Sequence, residues 1–146
     1  MAEILVLNGP NLNLLGRREP HIYGATTLDD LERSLSHHAP SDVTLQFFQT
    51  NHEGEMVERI QRLLDQPVSG IVINPAAWTH TSVAIRDAIA AINIPFVEVH
   101  ISNVHTREPF RHQSYFSDLA LAVIAGCGLQ GYEFALKTLH QHLKDQ

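Results

Sequence analysis

Apolar residues in this chain follow two alternating patterns. Short unbroken runs, with Ile4-Leu5-Val6-Leu7 the first, read as buried strands. Between them, apolar residues recur every three or four positions, the period of a helix with one buried face. Residues 3–8 read as the first strand, and 27–38 as a helix with Leu28, Leu31 and Leu35 on one stripe behind Thr26 or Thr27 as cap. Val43 to Phe48 read as a second strand, and Glu53 to Leu64 as a helix that turns Val57, Ile60 and Leu64 inward. Gly70 to Asn74 form a third strand, followed by a helix from Thr79 to Ile92 in which alanines alternate with Ile85, Ile89 and Ile92. Pro95 to His100 and Leu121 to Ala125 supply two more strands. The last helix runs from about Gly128 to Lys144, with Tyr132, Leu136, Leu139 and Leu143 in register.

Five strand–helix repeats imply a parallel sheet covered by helices on both faces. The expected architecture is α/β: a flavodoxin-like, doubly wound sandwich with strand order 2-1-3-4-5, in one domain spanning residues 1–146. No linker, low-complexity tract or fixed-period repeat interrupts it.

Two connections stand out by length. From Asn8 to Gly24 the chain holds no strong periodicity, whereas strand-to-helix loops usually run about 2–6 residues. Leu12, Leu14, Leu15, Ile22 and Tyr23 need a surface to pack on, so the segment reads as a lid, centred on residues 16–25, that carries Arg17, Arg18 and Tyr23. The other long connection covers residues 101–118 and also leaves the carboxyl end of a strand.

The 146 residues carry a net charge of −6. That balance disfavours a general nucleic-acid or membrane-surface role, which calls for a basic surface. No apolar run approaches the roughly 18 residues of a bilayer span. Met1-Ala2-Glu3 runs into a strand without a signal-peptide pattern, so a cytoplasmic protein is expected. The single cysteine, Cys127, lies in an apolar run and reads as a buried, inert thiol in a reducing compartment. The ten basic residues comprise eight arginines and only Lys137 and Lys144, both on the last helix. Arginine clamps carboxylate or phosphate with a planar fork, whereas lysine is the residue of imine chemistry, so the distribution favours anion binding.

Ligands of open α/β sheets bind outside the carboxyl ends of the strands, and the polar residues cluster there. Asn8 and Asn11 follow the first strand, and Asn74 ends the third with His80 just beyond. Glu98, His100 and Ser102 end the fourth, with Arg107 and Arg111 in the following loop. Strand alternation sets Glu98, His100 and Ser102 on one face. A carboxylate beside an imidazole can hold one tautomer or favour the protonated ring, which then serves as an acid; a structural ion pair is the alternative. Arg18 and Tyr23 suggest a second chemical pair. A free phenol titrates near pH 10, so a tyrosine base at pH 7 needs about 4 kcal/mol of preferential phenolate stabilisation. A nearby guanidinium supplies that kind of term, although Tyr23 could equally be an apolar anchor for the lid. His80 could bind a substrate hydroxyl or carboxylate, or merely cap a helix. The other histidines lack convincing ligand spacing, and Arg107 and Arg111 disfavour a divalent metal shared by His100 and His105.

Other templates fail. There is no Gly-x-Ser-x-Gly elbow, no phosphate loop ending in Gly-Lys-Ser/Thr, and no dinucleotide fingerprint at Asn8-Gly-Pro-Asn11. Two readings of the site residues stay open beside an enzyme: a non-catalytic flavodoxin-like module that binds an anionic metabolite, and a small flavin or nucleotide protein.

Several motifs together resemble the type II 3-dehydroquinate dehydratases (type II dehydroquinases). They are Asn8-Gly-Pro-Asn-Leu12, Leu15-Gly-Arg-Arg-Glu-Pro20 with Tyr23-Gly24, Gln49-Thr-Asn-His-Glu-Gly54, Asn74-Pro-Ala-Ala77 with Thr79-His-Thr-Ser82, Glu98-Val-His-Ile-Ser-Asn103, Arg111-His-Gln-Ser-Tyr115 and Gly128-Leu-Gln-Gly-Tyr132. The resemblance spans almost the whole chain; Trp78 stands where the family often has tyrosine. It implies a hydro-lyase of the shikimate pathway that converts 3-dehydroquinate to 3-dehydroshikimate through an enolate, without metal or organic cofactor. By that resemblance Tyr23 is the base, Arg18 lowers its pKa, and the enolate is held near Asn11. His100, oriented by Glu98, protonates the departing hydroxyl. Asn74, His80, Ile101, Ser102 and Arg111 bind the substrate, and Arg107 helps close the lid. Asp87 reaches a neighbouring subunit's site, within trimers assembled into a homododecamer.

Overall fold

A computed structural model describes the backbone of residues 1–146 and every side chain except those of Ile22 and Tyr23. The apolar runs become strands β1 (Ala2–Asn8), β2 (Val43–Gln49), β3 (Gly70–Asn74), β4 (Phe96–His100) and β5 (Ala122–Ala125). All pair in parallel in the order β2-β1-β3-β4-β5, as the repeat pattern predicts. Chain order reverses between β1 and β3, so the connections leaving their carboxyl ends diverge and open a crevice there.

Residues of each central strand alternate between two apolar layers. Ile4, Val6, Val72, Val97 and Val99 face helices α2 (Leu28–His38) and α5 (Gln130–Lys144), meeting Leu31, Leu35, Tyr132, Leu136 and Leu139. Leu5, Leu7, Ile71 and Ile73 face α3 (Glu53–Gln61) and α4 (Val83–Ile92), meeting Met56, Ile60, Ile85 and Ile89. Glu98 and His100, in phase with Phe96, lie on this second face.

Local chemistry sets the element ends. Thr27 caps α2 through a reciprocal box: Thr27 Oγ1 accepts from the Asp30 N–H, and Asp30 returns the contact to the Thr27 N–H, both at 3.1 Å. The helix expected from Thr79 begins only at Val83, because Ser82 Oγ takes the Ile85 N–H at 2.9 Å. Residues Ala76–His80 form a separate 3-10 turn ahead of it. The inward stripe of α3 falls one position away from the expected one. Met56, Ile60 and Leu63 are buried, Val57 is half-buried, and Leu64 is exposed, because a 3-10 turn over Arg62–Leu64 closes the element.

The loop after β1 is more ordered than its sequence suggests. It contains a 3-10 turn (Leu12–Leu14) and a one-turn helix, α1 (Pro20–Tyr23). Leu12 and Leu15 are buried in the α2/α5 layer and anchor the loop. Cys127 is a correction. It is exposed, because it sits in the turn between β5 and α5, flanked by Gly126 (φ 88°) and Gly128 (φ 64°). Apolar neighbours in sequence do not bury a residue whose backbone turns at the surface.

No helix among the described residues is long and apolar enough to cross a membrane.

Candidate active site

A cavity of about 270 Å³ opens at the carboxyl ends of β1, β3 and β4. Nine of the sequence-derived candidates line it: Asn11, Arg18, Asn74, His80, His100, Ile101, Ser102, Arg107 and Arg111. They come from three separate stretches of chain, at the ends of β1, β3 and β4, and meet because the sheet order brings those loops together. Pro10, Leu12, Leu14, Leu15, Ala76, Ala77 and Val104 complete the wall with apolar surface. Glu98 stands behind His100 and lines a second cavity, which shares His80, His100, Val104 and Arg111 with the first. Asp87 is exposed on α4 and lines neither. The Tyr23 side chain lies outside the described residues.

His100 lines the cavity, and Glu98 backs it from the second one. Glu98 is fully buried, and its carboxylate accepts from His100 Nε2, from Ser114 Oγ at 2.9 Å and from Ser117 Oγ at 2.8 Å. Burial alone would push its pKa up. The His100 hydrogen bond and charge, with the two serine hydroxyls, outweigh that and hold the carboxyl below its ordinary range. The contact uses Nε2 and leaves Nδ1 as the remaining ring nitrogen of His100, itself only 7% exposed. The two serines had no assigned role in the sequence, since they lie 16 and 19 residues beyond Glu98.

His80 is held differently. Its Nδ1 lies 2.7 Å from the Gln113 carbonyl oxygen, an acceptor only, so Nδ1 carries the proton and Nε2 is left with a lone pair. Partial burial lowers its pKa, the Gln113 carbonyl opposes that, and the nearby His100 and Arg111 lower it further. The neutral imidazole is therefore favoured at pH 7.

Guanidinium groups surround these imidazoles. Arg111 is held by Glu108 (Nε–Oε1 2.9 Å) and lies over the Phe110 ring at 4.8 Å. Arg107 donates to Ser102 Oγ at 3.3 Å and approaches Glu19 of the lid loop at 3.9 Å. With Arg18, they make the cavity a cationic site on an acidic protein, suited to a carboxylate-bearing ligand. Among the described residues, no three His, Cys, Asp or Glu side chains group as metal ligands.

Backbone contacts brace the rim. Asn51 Oδ1 accepts the Asn11 N–H at 2.9 Å and Gln49 Nε2 at 3.1 Å, tying the loops after β1 and β2 together. Asn11 (φ 69°), Glu19 (φ 44°) and Ala76 (φ 52°) are non-glycine residues in the left-handed region, and all three border the cavity or the lid contact. Such strain costs about 1–3 kcal/mol per residue and concentrates at functional sites.

Comparison with known proteins agrees with this geometry. The family model described as dehydroquinase class II matches residues 2–140. A catabolic 3-dehydroquinase of Aspergillus clavatus is 59% identical over 144 residues, covering 98% of this chain and 95% of the relative. A 3-dehydroquinate dehydratase of Nitrosomonas eutropha is 57% identical over 138 residues, covering 94% and 95%. The crystal structure of type II dehydroquinase from Propionibacterium acnes aligns with a TM-score of 0.91 at 47% identity over 97% of both chains. Fold, cavity and sequence therefore converge on one assignment: this chain belongs to the class II dehydroquinase family.

Proposed function

We propose that the chain is a 3-dehydroquinate dehydratase that eliminates water from 3-dehydroquinate to give 3-dehydroshikimate. The observation that carries this reading is His100, backed by the buried Glu98 carboxylate, in a cavity ringed by Arg18, Arg107 and Arg111. An arginine ring suits the substrate carboxylate, and a supported imidazole suits a poor leaving group.

The chemistry needs a base, a place for enolate charge and an acid. A base removes the proton alpha to the ketone, and the electron pair enters the carbonyl as an enolate. When the enolate collapses, the carbon–hydroxyl bond breaks, the hydroxyl takes a proton, and water leaves a conjugated enone. Tyr23 is the base in this reading, with Arg18 favouring its phenolate, and Asn11 lies where the enolate oxygen is held. His100 supplies the proton, and Glu98 holds its ring in place through Nε2. Asn74, neutral His80, Ser102, the backbone at Ile101 and Arg111 bind the hydroxyls and carboxylate. Arg107 joins the lid to the rim through Glu19. The reaction calls for no metal or organic cofactor.

We also read the chain as a single-domain cytoplasmic protein whose lid spans residues 16–25 and whose subunits form a homododecamer of trimers. Asp87 would serve a neighbouring copy. Two features support assembly: the exposed carboxylate on α4, and the exposed apolar side chains Phe110, Tyr115, Leu119, Leu121 and Val123. Small molecules are the expected partners, with no nucleic acid or membrane.

Mixing purified protein with 3-dehydroquinate and following conjugated-enone absorbance tests the activity. A steady rise is expected; a flat trace with folded protein sides with a non-catalytic anion-binding module. Borohydride should trap no substrate on the protein, and a label on Lys137 or Lys144 would overturn the enolate route.

A further inference from the structure

Beneath the cavity runs a buried polar chain of which the reaction as described uses only the Asn74 end. Tyr132, on α5, is fully buried among the apolar residues of the α2/α5 layer. A phenol is not kept in such a place by burial alone, since an unpaired buried hydroxyl costs about 1–3 kcal/mol. Its oxygen accepts from Asn74 Nδ2 at 2.9 Å and donates to Asn8 Oδ1 at 2.6 Å. Asn8 and Asn74 end the paired strands β1 and β3 opposite one another, so the phenol bridges the switch point of the sheet from below. Burial pushes the Tyr132 pKa up, so the phenol stays protonated and able to donate.

The chain has a direction. Asn74 Nδ2–H donates to the phenol oxygen, and the phenol O–H donates to the Asn8 carbonyl. At its other end, Asn74 Oδ1 accepts the Ala76 N–H at 3.0 Å, presented by a backbone in the left-handed region at φ 52°. Reversing the Asn74 amide would set its NH₂ against the Ala76 N–H, donor against donor. It would also turn its carbonyl to the phenol, whose single hydrogen would then serve either Asn74 or Asn8 and leave the other carbonyl unpaired. With Asn8 as placed, only this Asn74 orientation pairs the Ala76 N–H, the phenol O–H and both amide carbonyls. Asn74 keeps one N–H and one carbonyl lone pair for the cavity it lines. Asn8 Nδ2, by contrast, is buried with no partner in the described structure. Its carbonyl is satisfied while its amide group is not, so the contact with Tyr132 is retained at a cost.

We propose that Tyr132 is a positioning residue for the dehydration: its hydroxyl, linking Asn74 to Asn8, fixes which end of the Asn74 amide meets the substrate. This rests on the proposed function, and it adds specificity for a substrate hydroxyl that must both donate and accept. A fixed amide recognises such a group in one pose, whereas a free amide offers two. The hydroxyl takes no part in proton transfer, so its loss weakens binding more than it slows the chemical step.

The test is Tyr132→Phe, which removes one oxygen and keeps the ring in the core. In the enone assay its KM for 3-dehydroquinate should rise about tenfold, equivalent to about 1.4 kcal/mol. Its kcat should stay within about threefold, and the pH dependence of kcat should match wild type. In an Asn74→Ala background the same change should leave KM unmoved, because nothing remains to be oriented. Asn8→Ala approaches the chain from its other end. It frees the phenol to turn toward Asn74 and should give the same KM-selective loss, so the proposal is tested even where Tyr132→Phe does not fold. A folded Tyr132→Phe with wild-type KM would overturn the proposal, as would equal losses in the presence and absence of Asn74. A purely packing role predicts a lower melting temperature with KM unchanged. Failure of the functional reading itself is distinct, since wild type would then form no enone.

Discussion

Glu98 is a charge with no solvent around it, retained because three donors replace the water. His100, Ser114 and Ser117 each give the carboxylate a hydrogen bond, and together they hold its pKa below the ordinary carboxylate range. The sign of the linkage follows: the stabilising contribution is fully present above the unfolded-state value, near 4.3. It is lost as pH falls through the lower folded value. Glu98→Gln should therefore flatten the decline of melting temperature on acidification, measured by thermal melts from pH 7 to pH 3. An unchanged acid profile would remove the carboxylate from that role. The same substitution should lower kcat about 10- to 100-fold, since the imidazolium loses its counter-charge. Arg111 has a different task. It is oriented by Glu108 and Phe110 rather than by the Glu98–His100 pair. Arg111→Ala should raise KM or a product-analogue Kd by about 10- to 100-fold, the worth of a charge-assisted hydrogen bond. Calorimetric affinity equal to wild type would exclude it as the carboxylate clamp.

At the scale of elements, the site depends on how closely the loops after β1 and β3 approach. The Gly9 N–H donates to the Asn74 carbonyl at 2.9 Å, and a Cβ on Gly9 would fall 2.4 Å from the Pro75 carbonyl oxygen. Gly9→Ala must push the two loops apart. It should cost about 1–3 kcal/mol in chemical denaturation and lower activity as well; wild-type stability would contradict the packing described. These loops also mark the limit of what the sequence reveals. The central strands were legible because Ile4-Leu5-Val6-Leu7 and its counterparts in β3 and β4 are buried on both faces, and the sheet order followed from the repeat. Seven of the nine cavity residues were legible because polar side chains at or just beyond strand ends have no core to join; Arg18 came from the lid, and Ile101, itself in the core, from the family resemblance alone. Asn51, Ala76 and Ser114 fall inside the family motifs without a role of their own, and Ser117 lies outside them, since their contacts depend on loop paths that no periodicity encodes. Two errors share a cause. Leu64 and Cys127 were read as inward from apolar patterning, but a 3-10 turn and a glycine-flanked turn set them outside.

At the scale of the whole molecule, a protein of net charge −6 concentrates three arginines and two imidazoles around one cavity. The acidic remainder disfavours nonspecific anion binding, while the cavity's charge suits a carboxylate at short range. The apolar side chains exposed along β5 and the loop before it form an edge that an isolated subunit would leave open to water. Sedimentation should accordingly find a particle of about twelve subunits, and a monomer would refute the assembly proposed above. The central claim concerns chemistry: Tyr23 removes the proton and His100 supplies one, inside this arginine-ringed cavity. Its most direct test is the enone-forming kcat of Tyr23→Phe and of His100→Gln, each beside a calorimetric Kd for a substrate analogue. The account predicts a loss of kcat of at least about 100-fold in each variant, with analogue binding within several-fold of wild type. A kcat near wild type in either variant would contradict it.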